Sequence, residues 1–339
     1  MDERRAMQVV VLAGGVGSRL RPWTNSVPKP LLPMLDRTLL EHVVNSLPAD
    51  LVDEVVVAGG YKVDIIETYF EEHEVPFDVR IVPENKPLGT GGALGNCRDV
   101  VSGTFACFNG DIISSLDASE LLNLHKRNKS VGTLGLWEVE DPTRFGIVGL
   151  DDDQRITRFK EKPKPEEVFS NLINAGSYIF NDDIFDWMPK GKHSIEREVF
   201  PKLAQEGLLS GQDFNGYFID AGTPAAWNQG AKACIEHERF NHGTVHSTSW
   251  YEQGNAPSSA TVTDSMISKS CELGTGRIHQ SSLLSGVHLG DGCILDACLI
   301  GKNARIGANC TLTGVVVDHG STVPSGTVLN GWQWPPVES

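Results

Sequence analysis

Several charged side chains stand where they could handle phosphate. Arg19 follows a strand-and-glycine run, "VVVLAGGVGSRL", and Lys29 is held between prolines in "SVPKP". A strand that turns on glycines presents backbone N–H groups to an anion, and a helix entered at that point would add its positive end. An arginine fork suits a phosphate chain, and a lysine restrained by prolines suits a second phosphate. Asp111 in "NGDII" and Asp220 in "IDAGTP" each stand just after an apolar strand. A carboxylate there can hold a hard cation against phosphate oxygens. Lys162, in "RITRFKEKPKP", ends a basic strand suited to a phosphate monoester, with Lys160 and Lys164 as close competitors.

Taken singly, each signal has an ordinary reading. Gly14, Gly15 and Gly17 could make no more than a tight strand-to-helix turn, and a lone aspartate after a strand is commonly a helix N-cap. Neither familiar phosphate motif fits. The third position of a G-x-G-x-x-G fingerprint falls on Leu20, and no G-x-x-x-x-G-K-[ST] is present. Glycines, arginine and Pro-Lys-Pro in one stretch favour an anion site. A further run, "PLGTGGAL", carries Gly89, Gly91 and Gly92, which would let backbone groups lie against a purine edge or let a helix start pack closely.

The elements that must position these residues follow a strand–helix rhythm. Val9–Leu12, Val55–Ala58, Val79–Val82 and Phe105–Phe108 read as buried strands, with helical patterns at Leu39–Leu47, Val63–Phe70 and Gly91–Val101. That alternation implies a doubly wound α/β domain around a mostly parallel sheet. After Asp111 the strands Val131–Glu138, Ile147–Leu150, Arg155–Phe159 and Ile173–Phe180 have few helices between them and suggest an antiparallel extension, closed by a helix at Pro224–Glu238. Residues 239–258 read as a connection. From 259 to 330 a six-residue period appears, with Ile294, Ile300, Ile306 and Leu312 as an inward ladder. This is a hexapeptide β-helix of roughly four coils at ~18 residues each. Residues 1–238 then form the first domain and 331–339 a tail.

With 40% hydrophobic and 22% charged residues the chain is that of a soluble globular protein, and its net charge of −15 argues against nucleic acid or an anionic membrane as partner. A small anion held by a few cations remains open. The seven cysteines are odd in number, scattered and without a C-x-x-C pair, which favours reduced thiols in a cytoplasm over disulfides or zinc. No signal peptide and no apolar run of transmembrane length is read.

The order of "LAGGVGSRLRPWT", "PKPLLPM", "PLGTGGAL", "NGDII", "EKP", "NAGSYIF" and "IDAGTP" resembles the sugar-1-phosphate nucleotidyltransferases, between about Val9 and Trp227. Many members of that family also carry a C-terminal left-handed β-helix. The resemblance implies an enzyme that joins a nucleoside triphosphate to a sugar 1-phosphate and releases pyrophosphate. It assigns catalysis to Arg19 and Lys29, and nucleotide binding to Leu12, Ala13, Gly14, Gly15, Gly17, Gly89, Thr90 and Gly91. Gly146, Glu161, Lys162 and Asn174 fall to the sugar phosphate, and Asp111 and Asp220 to Mg²⁺. "PLGTGGAL" is most similar to the mannose- and heptose-type guanylyltransferases, so GTP is favoured. Trp23 stands where the family commonly has leucine. The alternatives are a glucose-1-phosphate enzyme with another nucleotide, a non-catalytic regulatory relative, and an acyltransferase using His279, His288 or His319. The β-helix is expected to serve assembly, as a homo-oligomer, or regulation.

Overall fold

The computed structural model describes residues 6–253, 257 and 259–336. It divides into two compact units. One contains the described residues through Gly15 and Val43–Phe218, and the other contains Val16–His42 and the chain from Ile219 onward.

Among the described residues, the first unit is built on a nine-stranded sheet. Its parallel part runs Thr104–Asn109, Met7–Leu12, Val52–Gly59, Asp78–Pro83. Leu172–Asn181 adds antiparallel to Thr104–Asn109 and pairs in turn with Gly132–Glu138 and Gly146–Leu150. Ile156–Glu161 and Leu209–Asp213 complete the sheet. This is the parallel core with antiparallel extension expected from the strand pattern. Val9–Val11 and Val55–Ala58 are buried on both faces, whereas the edge strand Asp78–Pro83, expected as buried over Val79–Val82, is half-buried to exposed; Val10, Val56, Phe105, Tyr178, Phe180 and Phe200 belong to one apolar cluster. Two further details differ. The helix expected over Gly91–Val101 is confined to Gly89–Gly95. An eleven-residue helix, Ala118–Asn128, stands where few were expected. Asp117 caps it through Ser119 N, and Leu121, Leu122 and Leu124 face the sheet.

The second unit contains the β-helix, formed by three parallel sheets. One column of paired residues runs Tyr251, Ile267, Leu283, Ile300, Val317, Trp334. Successive members are 16 or 17 residues apart, shorter than the ~18 of an ideal hexapeptide coil. Ile300, Ile306 and Leu312 point inward as the period requires, but Ile294 is half-buried and Cys293 and Leu295 take the inward positions. The first coil strand, Ser249–Tyr251, lies inside the stretch read as a connection, whose residues 254–256 and 258 fall outside the described residues. The helix Pro224–Glu236, capped by Thr223, belongs to this unit. Its Asn228 accepts from Ser282 Oγ at 2.6 Å and donates to Cys298 O at 3.4 Å. Val16–His42 belongs here too, through Leu35 N donating to Met266 Sδ and through Trp23. These links join residues far apart in sequence.

All seven cysteines are free, and all but Cys271 are buried. Among the described residues no helix is long and apolar enough to cross a membrane.

Candidate active site

In the first unit, strands Met7–Leu12 and Thr104–Asn109 lie side by side with Leu12 opposite Asn109. Gly110 N donates to Leu12 O and Ala13 N to Ala58 O, so the loops carrying Gly14 and Asp111 leave from the carboxyl ends of adjacent parallel strands. This is the edge at which open α/β sheets bind ligands. Glu84, which the sequence reading did not single out, lies beside Gly14: a β-carbon there would sit 3.1 Å from Glu84 Oε1. The other oxygen of Glu84 accepts Leu88 N at 3.0 Å. One carboxylate therefore ties the first glycine turn to the head of "PLGTGGAL". An acid ahead of a Pro-Leu-Gly run was the available signal.

Gly91 N and Gly92 N both donate to His193 O, and His193 N donates to Leu88 O. These amides are bonded within the chain. A β-carbon on Gly92 would lie 2.8 Å from Gly191 O, and one on Gly91 would strike the His193 ring. Thr90 is likewise engaged: its hydroxyl donates to Glu196 Oε2 at 2.6 Å and accepts Ile195 N at 3.2 Å. The segment Gly191–Glu198 thus buttresses the glycine helix. Only its distance in sequence concealed it.

Gly146 and Glu161 face each other across two paired strands, and a β-carbon on Gly146 would lie 2.8 Å from Glu161 Oε2. Burial, then the charge of Glu196, pushes the Glu161 carboxyl above its ordinary range. Lys162 follows with φ 46°, its N donating to Phe145 O and its exposed ammonium 3.8 Å from Glu161. Lys160 is paired with Glu167 at 3.0 Å, and Lys164 starts the turn Pro165–Glu167, so Lys162 is the lysine set beside Glu161. Asn174 donates to Tyr178 Oη and accepts Gly176 N, shaping the irregularity in its strand. Gly176 there has φ 70°, and a β-carbon on it would collide with Asn109, next to Gly110 and Asp111.

In the second unit the glycine run does not enter an α-helix. Three 3₁₀ turns follow, Ser18–Leu20, Trp23–Asn25 and Lys29–Leu31. The expected helix dipole is therefore absent among the described residues, and charge must come from side chains. Gly17 has φ 67°, with Thr24 and Lys29 filling the space a side chain would need; Thr24 Oγ1 donates to Gly17 O at 2.9 Å. Lys29 is buried against this knot while Arg19 is exposed. The Arg19 guanidinium reaches Gly222: a β-carbon there would fall 2.5 Å from its Nη2 and 2.8 Å from Asp220 Oδ1. Of the β-helix histidines, His279 is bonded to Thr263, His288 is paired with Glu272 on an exposed face, and His319 is stacked on Trp23.

The aspartates offer hard oxygen donors of the kind Mg²⁺ prefers, and Mg²⁺ takes much of its shell from water and phosphate. Among the described residues no cluster of three or more His, Cys, Asp or Glu is gathered for a metal. Each aspartate by its chemistry fits a cation that takes the rest of its shell from a phosphate substrate and water.

The nucleotidyl transferase family model matches residues 8–237, and the GlmU-like C-terminal hexapeptide model matches residues 251–331. A mannose-1-phosphate guanylyltransferase of Mycobacterium tuberculosis is 32% identical, over 95% of this chain and 83% of its own. The mannose-1-phosphate guanylyltransferase catalytic subunit beta of Xenopus tropicalis is 36% identical, over 70% of this chain and 67% of its own. The crystal structure of HddC from Yersinia pseudotuberculosis complexed with GMP-PN has a TM-score of 0.55 and 30% identity, covering 66% of this chain and 98% of that one. With a family match over more than half its length, the chain belongs to the nucleotidyl transferase family, as a sugar-1-phosphate nucleotidyltransferase with a C-terminal hexapeptide β-helix.

Proposed function

We propose that the chain transfers the guanylyl group of GTP to a sugar 1-phosphate of the mannose type, giving a GDP-sugar and pyrophosphate. An oxygen of the sugar phosphate attacks the α-phosphorus, and the bond from that phosphorus to the bridging oxygen of pyrophosphate breaks. No covalent enzyme intermediate is required, so the protein supplies placement and charge. Arg19 holds the leaving pyrophosphate, Lys29 the reacting phosphates and Lys162 the sugar phosphate. Glu161 and Asn174 face the sugar hydroxyls, where Gly146 admits close approach. Leu12, Ala13, Gly14, Gly15 and Gly17 line the triphosphate, and Gly89, Thr90 and Gly91 line the base. Asp111 and Asp220 would hold Mg²⁺, which when bound neutralises phosphate charge.

The observation that carries this reading is the meeting of Arg19 and Asp220 at Gly222, a cation and a metal-type carboxylate at one corner. The guanine preference is supported by the names of the relatives. It is tested by kcat/KM for GTP, ATP, UTP, CTP and dTTP with mannose 1-phosphate, read by pyrophosphate release. GTP should lead by about tenfold or more, worth about 1.4 kcal/mol. An equal lead for dTTP or ATP, or a preference for glucose 1-phosphate, would overturn the substrate assignment.

Self-association belongs to the same proposal, supported by Val328 and Trp332, which stand exposed near the end of the β-helix. Light scattering tests it. A reducing, cytoplasmic setting is supported by the free cysteines.

A further inference from the structure

Trp23 is completely buried, and its hydrogen-bond and stacking partners are β-helix residues almost three hundred positions away. Its indole N–H donates to Val317 O at 2.9 Å. Its ring stacks on His319, centroids 5.7 Å apart at 23°, and meets Trp227 edge-on at 6.2 Å. His319 is itself fixed, because its Nδ1 accepts Lys302 N at 2.9 Å from the preceding coil. From Trp23 the loop runs back through buried Leu20 to Arg19, and forward through Thr24, which is bonded to Gly17 and packed beside the Lys29 stem. Both cations of the glycine loop thus hang from one ring seated on the coil. Leucine at this position would fill space but donate nothing.

We propose that Trp23 and His319 are positioning residues for the transfer: the β-helix coil around Val315–His319 sets the placement of Arg19 beside Asp220 and of Lys29 against Gly17, and thereby the rate. This rests on the reaction assigned above and extends it, giving the β-helix a part in catalysis beyond assembly.

The test uses the full chain in the reverse direction, GDP-mannose plus pyrophosphate, with Trp23→Phe and His319→Ala. Assays are run at a temperature where both variants keep the parent's near-ultraviolet circular dichroism. Each variant should lose about tenfold in kcat and need about fivefold more pyrophosphate for half-saturation, with the KM for GDP-mannose within about twofold. His319→Phe, which keeps a stacked ring, should recover most of the loss. The double variant Trp23→Phe/His319→Ala should be little worse than the worse single one, because both act through one seat. Unchanged kcat and pyrophosphate KM in both variants would overturn the proposal, as would equal rises in both KM values. A parent protein that turns over no sugar nucleotide with pyrophosphate would instead sink the reaction assignment.

Discussion

Arg19 and Asp220 flank the same point, the vacant β-position of Gly222. A cation so placed competes electrostatically with a metal ion for the carboxylate. Arg19→Ala should therefore lower kcat for loss of pyrophosphate stabilisation and also lower the half-saturating Mg²⁺ concentration, by about twofold or more once solvent screening is allowed for. A Mg²⁺ titration of steady-state rate checks this. An unshifted midpoint would mean that Asp220 does not ligate the metal.

Gly17 holds a left-handed backbone with no room for a side chain. Gly17→Ala forces φ out of its well or drives Thr24 and the Lys29 stem apart, at a cost of about 1–3 kcal/mol. Activity should fall more steeply than stability, since Lys29 moves with the loop. Gly15→Ala, whose β-carbon meets nothing within 4 Å, should cost far less stability. Denaturant midpoints and kcat for the pair separate the two effects.

Burial raises the Glu161 carboxyl, with Glu196 adding to it, so the native protein binds that proton more tightly than the unfolded chain. The contribution to stability is full below the ordinary glutamate range and is lost as pH rises through the raised value. Glu161→Gln should melt higher than the parent at neutral pH, with the gap closing in acid, while turnover drops. Melting curves across that range test the sign, and a gap that widens in acid would contradict it.

The sheet and the coil ladder were legible because they depend on local period: β-branched runs mark the parallel strands, and Ile300, Ile306 and Leu312 mark the coils. What escaped depends on contacts distant in sequence. Leu295 replaces Ile294 inside because the coils advance by 16 or 17 residues, so a strict six-residue count drifts out of phase. Nothing near Thr90 in sequence points to Glu196, far along the chain, which accepts its hydroxyl. The helix expected after Gly17 is replaced by 3₁₀ turns, in a segment that carries Pro22, Pro28 and Pro30. Trp23 was visible only as an unusual residue; its meaning lies in Val317 and His319.

Truncation after Glu238 removes the carbonyl and ring that seat Trp23 and exposes its large apolar ring to water. The β-helix was expected from the sequence to serve assembly or regulation alone. With Trp23 seated on it, the truncated chain should lose nearly all transfer. Rates of the truncated and full chains, each at a concentration where light scattering shows its assembly state, separate this loss from lost association.

The central claim is a group transfer without hydrolysis. Phosphorus NMR of the full chain with GTP, mannose 1-phosphate and Mg²⁺ follows every phosphorus atom at once. The account predicts that the GTP and mannose 1-phosphate signals fall together while GDP-mannose and pyrophosphate rise in equal amounts. Formation of GDP and inorganic phosphate, or GTP loss that does not depend on the sugar phosphate, would contradict it.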